Sequence, residues 1–329
     1  MGVTSPFVLA VTVTSFNPAN PLTGLTVDEV PDPTPPDGWV RVAVKAAALN
    51  HHDLWSLRGV GLRLDDLPRI LGCDAAGIDE DGNEVVVHAV IGDPDAGRGD
   101  ETMDPARTLL SERIDGALAE FVVVPARNLV PKPEGLTFEE AACLPTAWLT
   151  AYRMLFTNSG TRPGDTVLIQ GAGGGVSTAL IALSKAAGRR VWVTSRSLDR
   201  GGLALKLGAD AAYESGGQLP ERVDAVFDSV GAATWAHSLR CVRPGGTIVT
   251  CGATSGDAPS AELSRVFFRQ LRVIGSMVGA RHELVELLNF LVQTGVRPII
   301  DRALPLMSAR EGFEALAAGE VFGKVVFTV

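Results

Sequence analysis

The chain has 329 residues, more than twice the ~150 of a common domain, so two domains are expected and one large domain is the alternative. Apolar residues make up 46% and charged residues 20%, which excludes a disordered chain. Lys and Arg number 29 against 38 acids, a net charge of −9 with no basic block, which disfavours a nucleic-acid partner held through its phosphates.

No apolar run reaches the ~20 residues of a membrane helix, and residues 1–14 lack the basic start and cleavage site of a signal peptide. The four cysteines, Cys73, Cys143, Cys241 and Cys251, lie far apart with no C-x-x-C pair. That spacing fits reduced thiols better than a disulfide frame. A soluble, cytoplasmic protein with no membrane partner is the expectation.

The first ~130 residues read as β-rich. Residues 3–14 and 39–46 alternate, and 84–90 and 119–124 are short β-branched runs. Between them lie Pro- and Gly-rich linkers such as residues 31–38, which cannot be regular helix or inner strand. Short strands so punctuated suggest a barrel-like or partly open β domain. Residues 137–144 start on Thr137 with Glu139 and Glu140 close behind, a good helix beginning. From Thr166 onward, apolar runs at 167–169, 191–194, 225–227 and 247–251 alternate with helical patterns, among them Val176, Ala179, Leu180 and Leu183. Such alternation implies parallel βαβ units with helices on both faces of the sheet. Leu284, Leu287, Leu288 and Leu291 mark one face of a late helix, 309–318 reads as another, and 324–329 is a closing strand.

The most specific local feature is Gln170-Gly171-Ala172-Gly173-Gly174-Gly175-Val176, which follows a strand pattern and opens a helical one. Glycines there allow a tight turn and let backbone N–H groups approach a pyrophosphate at the positive end of a helix. Ser177 stands where the third glycine of G-x-G-x-x-G is usual. The next strand selects the cofactor. An NAD site wants an acid at its end, about 20 residues beyond the glycines, but here it ends in Ser195-Arg196-Ser197 with Arg200 behind. A hydroxyl and guanidinium groups suit a 2′-phosphate, so NADPH is expected over NADH.

At this point an ordered set of short motifs carries a family resemblance. These are Leu49-Asn50-His51-His52-Asp53, Leu71-Gly72-Cys73-Asp74-Ala75-Ala76-Gly77, Gly116-Ala117-Leu118-Ala119-Glu120-Phe121 and the run from Leu144 to Tyr152. The glycine loop, Leu207-Gly208-Ala209-Asp210, Asp228-Ser229-Val230-Gly231, Arg243-Pro244-Gly245-Gly246 and Gly323-Lys324-Val325-Val326 continue it. The whole chain resembles the medium-chain dehydrogenase/reductase superfamily, specifically its zinc-lacking quinone-oxidoreductase-like branch. The resemblance implies an α/β protein: a doubly wound Rossmann domain at 130–275, and a GroES-like, barrel-type β domain built from 1–129 and 276–329. It implies an active-site cleft between the two domains. It also implies cofactor contacts from Ala172, Gly173, Gly174, Gly175 and Val176, from Ser195, Arg196 and Arg200, and from Ser229, Val230, Cys251, Gly252 and Ala253, with Met277, Gly279, Phe322 and Lys324.

The family's zinc alcohol dehydrogenases hold a catalytic metal through Cys, His and Cys. Here those positions look like Asn50, Cys73 and Thr146, two of them poor zinc donors, and residues 92–112 contain no cysteine for the structural zinc lobe. No metal is therefore expected, although Cys73, Asp74, His51 and His52 are ligand types. Without a Lewis acid, hydride delivery to a quinone or to the β-carbon of an enone asks mainly for alignment and for donors at the developing oxygen. Asn50 and Thr146 are the expected cleft groups and His52 the candidate proton donor, with a structural bond to Asp53 or the backbone as its alternative. The tyrosine that many relatives place over the nicotinamide is missing, which leaves Trp55 or Arg58 to shape the pocket. The acidic segment 92–112 is expected to be exposed or disordered and remote from the chemistry. A homodimer is expected, with strands near 247–250 and 271–274 at the sheet edge. The leading expectation is thus an NADPH-dependent quinone or enone reductase acting on a small molecule. A specialised-metabolite tailoring enzyme would use the same chemistry. A zinc alcohol dehydrogenase with atypical ligands and a non-catalytic NADPH-binding protein are the alternatives.

Overall fold

A computed structural model describes residues 6–329; residues 3–5 of the first expected strand lie outside the described residues. The chain forms two units, each with its own core. One runs up to Thr146 and takes in Ala280–Gln293 and Ile300–Val329; the other is Ala147–Gly279 with Thr294–Ile299. The boundaries thus fall at 146/147 and 279/280, beside the 129/130 and 275/276 read from sequence. The physical reason is local. Strand Leu129–Pro131 pairs with Glu84–Val87, and helix Phe138–Ala142 packs on strands Trp39–Ala48 and Asp74–Ile78, so the segment after 130 stays with the β unit. That helix starts as expected: Thr137 Oγ1 accepts from Glu140 N at 3.2 Å and Glu140 returns a bond to Thr137 N at 3.0 Å.

The first unit is built on a seven-stranded sheet. Its path runs Leu129–Pro131, Glu84–Val87, Asp74–Ile78, Trp39–Ala48, Lys324–Thr328, Ile300–Pro305, and Phe121–Pro125 joins Trp39–Ala48 off that path. A three-stranded sheet of Leu25–Pro31, Phe7–Val13 and Arg69–Ile70 packs into the same apolar core, where Val11, Val42, Val44, Leu118, Phe313 and Phe327 meet. The closing strand lies antiparallel to Trp39–Ala48, with Val326 opposite Ala48 and Thr328 opposite Ala46. That register places Lys324 beside the turn at Asn50.

The acidic segment 92–112 departs from its expectation in part: Asp93 and Asp95 are exposed, but the segment is not disordered. It is ordered: Asp104 accepts from Asp93 N and from Ala106 N, each at 2.8 Å, and Asp100 accepts from Thr102 N at 2.9 Å. Glu101, Thr102 and Asp104 are buried. Short acids that accept nearby backbone N–H groups make turns, and acidic composition alone does not show this.

The second unit is a six-stranded, wholly parallel sheet. Its order is Ala211–Glu214, Arg190–Ser195, Thr166–Gln170, Val223–Asp228, Val242–Thr250, Arg272–Gly275, numbered 3-2-1-4-5-6 in chain order. Strand order reverses between Thr166–Gln170 and Val223–Asp228, the place where sheets of this kind bind ligands. Strand Val242–Thr250 lies one strand in, so only Arg272–Gly275 of the two expected edge strands is at the edge.

Beneath the reversal point, side chains tie the central strands together. Thr194 Oγ1 donates to Gln170 Oε1 at 2.7 Å and accepts from Gly171 N at 3.2 Å. Gln170 Nε2 then reaches His237 Nδ1 at 2.9 Å and Ser238 Oγ at 3.0 Å, and Ser238 Oγ donates to Asp228 Oδ2 at 2.7 Å. Because Gln170 presents its N–H to Nδ1, that nitrogen is unprotonated and Nε2–H donates to Gly217 O at 2.8 Å. Burial lowers the pKa of His237 below its ordinary 6.5. The sign follows: below pH 6.5 the unfolded chain binds this proton more readily than the folded one, so stability falls on acidification. Denaturant unfolding from pH 8 to 5.5 should show the wild type losing more stability than His237→Gln. A constant difference across that range would rule the assignment out.

Candidate active site

The first expected ligand position, Asn50, caps the short helix His51–Ser56 and is buried. Its amide is fully engaged. Nδ2 donates to Asp74 Oδ2 at 2.9 Å and to Ala48 O at 3.3 Å, and Oδ1 accepts from Lys324 Nζ at 2.6 Å. Lys324 also donates to Asp74 Oδ2 at 3.0 Å and to Leu49 O at 2.8 Å. An ammonium has three protons, and three acceptors take them. Lys324 is 2% exposed. The cofactor role expected of Lys324 and the donor role expected of Asn50 therefore find no N–H left to serve them. Both residues instead build a buried ion-pair cluster with Asp74.

Cys73, the second position, is buried. Its Sγ lies 3.1 Å from Leu110 O, to which the thiol donates, 3.6 Å from Ser111 Oγ and 3.5 Å from His52 Nδ1. His52 Nε2 faces Glu112 Oε1 at 3.3 Å. Asp53 is fully buried and accepts from Asn50 N at 2.8 Å and Gly72 N at 2.9 Å. Donor atoms of His52, Asp53 and Cys73 all lie within 4.8 Å of one another. Thr146, the third position, is half-buried in the wide helical turn Leu144–Trp148, a distortion often found at functional sites.

Burial pushes the Cys73 thiol up, against the pull of His52. His52 is held well above its ordinary value by the Cys73 sulfur, against desolvation, with Glu112 and Asp53 adding to the rise. Desolvation by itself would raise Glu112, yet bonds from His52, Leu109 N and Thr108 hold it below its ordinary value.

In the second unit, the expected cofactor residues follow the carboxyl ends of the parallel strands. Ala172–Val176 come after Thr166–Gln170, and Ser195–Arg200 close or follow Arg190–Ser195. Ser229 and Val230 come after Val223–Asp228, Cys251–Ala253 after Val242–Thr250, and Met277 and Gly279 after Arg272–Gly275. Gly171 has φ +85°, and Gly174 caps the helix Gly175–Ala186, whose first turn carries no acid. A side chain at Gly173 would meet Arg200 Nη1 at 2.7 Å, so the guanidinium lies against the glycine loop. Arg196 is exposed, whereas Ser195 Oγ turns back to donate to Ser197 O at 2.7 Å. A glycine turn that opens a helix in this way can accept a dinucleotide phosphate, and Arg200 is the cation that lies against it. Phe322 belongs to the first unit, where its N donates to Asp301 Oδ1 at 3.0 Å.

Sequence reading missed Ser111, Glu112 and the Asp74–Lys324 pair. The motif with Cys73 already contains Asp74, but its partner lies 250 residues away. Glu112 stands 60 residues from His52 inside a segment with no motif, and nothing in the sequence signals it.

Residues 36–134 match the alcohol dehydrogenase GroES-like domain, and residues 175–293 match the zinc-binding dehydrogenase domain. The chain is 31% identical to a zinc-type alcohol dehydrogenase-like protein, YogA, of Leptosphaeria maculans, over 93% of this chain and 94% of that one. A solved NAD-dependent alcohol dehydrogenase is 36% identical, with TM-score 0.89 over 98% of this chain and 99% of that one. A 2-octenoyl-CoA carboxylase reductase, CinF, solved with NADP and 2-octenoyl-CoA, is 25% identical, with TM-score 0.88 over 99% and 88%. Among the described residues no helix is long and apolar enough to cross a membrane. The two matched domains, the 3-2-1-4-5-6 parallel sheet and the near full-length relatives agree, and the chain belongs to the medium-chain dehydrogenase/reductase superfamily of oxidoreductases.

Proposed function

We propose that this chain is an NADPH-dependent reductase that delivers hydride to an α,β-unsaturated carbonyl or a quinone without zinc. The observation that carries the reading is the state of Asn50. A tetrahedral zinc at the family's positions would need Asn50 and Thr146 as donors, and the Asn50 amide is already bonded to Lys324, Asp74 and Ala48 O. The donor cluster of His52, Asp53 and Cys73 is likewise satisfied internally. Both Asp53 oxygens accept backbone N–H groups, and the Cys73 thiol donates to Leu110 O. These residues do not fit a resident metal, so no step is routed through one. The relative solved with NADP and an enoyl-CoA supports both the cofactor and the substrate class.

Bound NADPH would supply a hydride to the β-carbon, and the displaced π pair would become an enolate that takes one proton. The chain's part is to hold the cofactor phosphates at Ala172–Val176 and the 2′-phosphate near Arg196 and Arg200. His52, held between Cys73 Sγ and Glu112 Oε1, would offer a proton to the developing oxygen. Thr146 would position the acceptor.

Three outcomes check this reading. NADPH should bind at least tenfold more tightly than NADH, about 1.4 kcal/mol, and the double change Arg196→Ala, Arg200→Ala should erase the preference. Equal affinities in the wild type would favour an NAD enzyme, as in the 36%-identical relative. Chelator-washed protein should retain turnover with an enone or quinone panel and hold no stoichiometric zinc. One zinc per chain, with activity lost on its removal, would bring a zinc alcohol dehydrogenase forward. Finally, the edge strand Arg272–Gly275 exposes Val273, and Leu263, Phe267 and Phe268 are exposed on the helix before it. An open apolar edge of this kind is covered by pairing with a second copy. Light scattering should give a dimer mass at micromolar concentration, and Val273→Lys should shift it toward monomer; a wild-type monomer would refute the pairing.

A further inference from the structure

The His52 ring is held at both nitrogens by groups distant in sequence. Cys73 Sγ gives its proton to Leu110 O, which leaves sulfur lone pairs toward Nδ1 at 3.5 Å. On the other side, Nε2 meets Glu112 Oε1 at 3.3 Å. Glu112 is anchored first: its Oε2 accepts from Leu109 N at 3.2 Å and lies 3.4 Å from Thr108 Oγ1. Strand Thr108–Leu109 is itself paired with Val90–Ile91, Leu109 opposite Val90. A carboxylate fixed through one oxygen presents the other in a set direction. Gly61 keeps that oxygen uncovered, since a side chain there would sit 3.4 Å from Oε1.

We propose that Glu112 is a positioning residue for the reduction: it fixes the His52 ring and keeps Nε2 protonated, so that His52 stands as the proton source. The assignment rests on the functional reading above. An imidazole flanked by two acceptors satisfies both only when both nitrogens carry hydrogen, and that form is the imidazolium. The titratable groups facing the ring are Cys73 from the turn before strand Asp74–Ile78, Asp53 from its own helix, and Glu112 from the 92–112 segment. Of these, Asp53 is engaged by two backbone N–H groups and Cys73 is a neutral thiol, which leaves Glu112 as the adjustable charge. Its side chain is 26% exposed and that of His52 is 21% exposed, so as a stability contact the pair is worth little. Its consequence lies in protonation. The 92–112 segment thus delivers this carboxylate to the ring.

The test combines a titration with a rate profile. The chain has only five histidines, so imidazole NMR signals are assignable with His52→Gln as reference. In Glu112→Gln the His52 midpoint should fall by about one pH unit. The alkaline limb of kcat/KM for enone reduction should fall with it, while the Kd for NADPH stays unchanged. Glu112→Asp should recover part of both shifts. An unmoved His52 midpoint in Glu112→Gln overturns the proposal. A midpoint that falls while the rate profile stays fixed overturns the proton-source role and leaves hydride transfer to enones standing. If the wild type reduces no enone or quinone, the functional reading itself fails. The NMR midpoint then still decides whether Glu112 sets the charge of His52.

Discussion

A single buried ammonium organises the first unit. Lys324 reaches back from the last strand to Leu49 O, Asn50 Oδ1 and Asp74 Oδ2, so three distant stretches of chain meet at one cation. A buried ion pair is costly to form and stable only when its remaining groups are bonded. Here the Asn50 amide supplies that bonding to both partners, and its orientation is fixed because an ammonium only donates. The turn at Asn50, the start of helix His51–Ser56 and the closing strand are thus set by one arrangement. Truncating Lys324 would leave Asp74 charged and unpaired in the interior, a change of about 3–5 kcal/mol by general experience.

The second unit solves a different problem. Its inner strands are largely buried on both faces, and a network of buried polar side chains lies beneath the point where strand order reverses. Asp228 accepts from Val230 N, Gly231 N, Thr234 and Ser238, which shapes the turn after its strand. Gln170 and Thr194 do the same for the glycine loop through Gly171 N. A loop that must leave its own N–H groups for a ligand is held from below by side chains instead. This division lets the helix N-terminus stay uncapped by any acid.

Charge placement separates two neighbouring clusters within the first unit. Around Asn50 every donor has an internal acceptor. Around His52, two residues on in the helix that Asn50 caps, the imidazole is shared between a thiol sulfur and a carboxylate and keeps partial access to solvent. Chemistry that moves a proton needs a group of the second kind, whereas the first kind sets geometry. The 92–112 segment links the two, since its end carries Leu110, Ser111 and Glu112 to the residues beside Asn50.

The sequence by itself determined the parallel sheet, the glycine loop, the arginines after the second strand and the closing strand. These are local patterns: apolar runs with a fixed period, glycines where only glycine turns, and a closing strand with β-branched residues. It also named Asn50, Cys73 and Thr146 as one constellation, through motifs in family order. Only the tertiary structure decided what those residues are bonded to. Lys324 sat in a motif that suggested a cofactor contact, and folding carried it to Asp74 instead. Segment 92–112 looked exposed or disordered by composition, yet it is ordered, and several of its acids accept backbone N–H groups that only the folded turns present. Glu112 reached His52 across 60 residues. Periodicity and turn chemistry act between neighbours in sequence, but a hydrogen bond between distant residues exists only once packing has closed the loop between them.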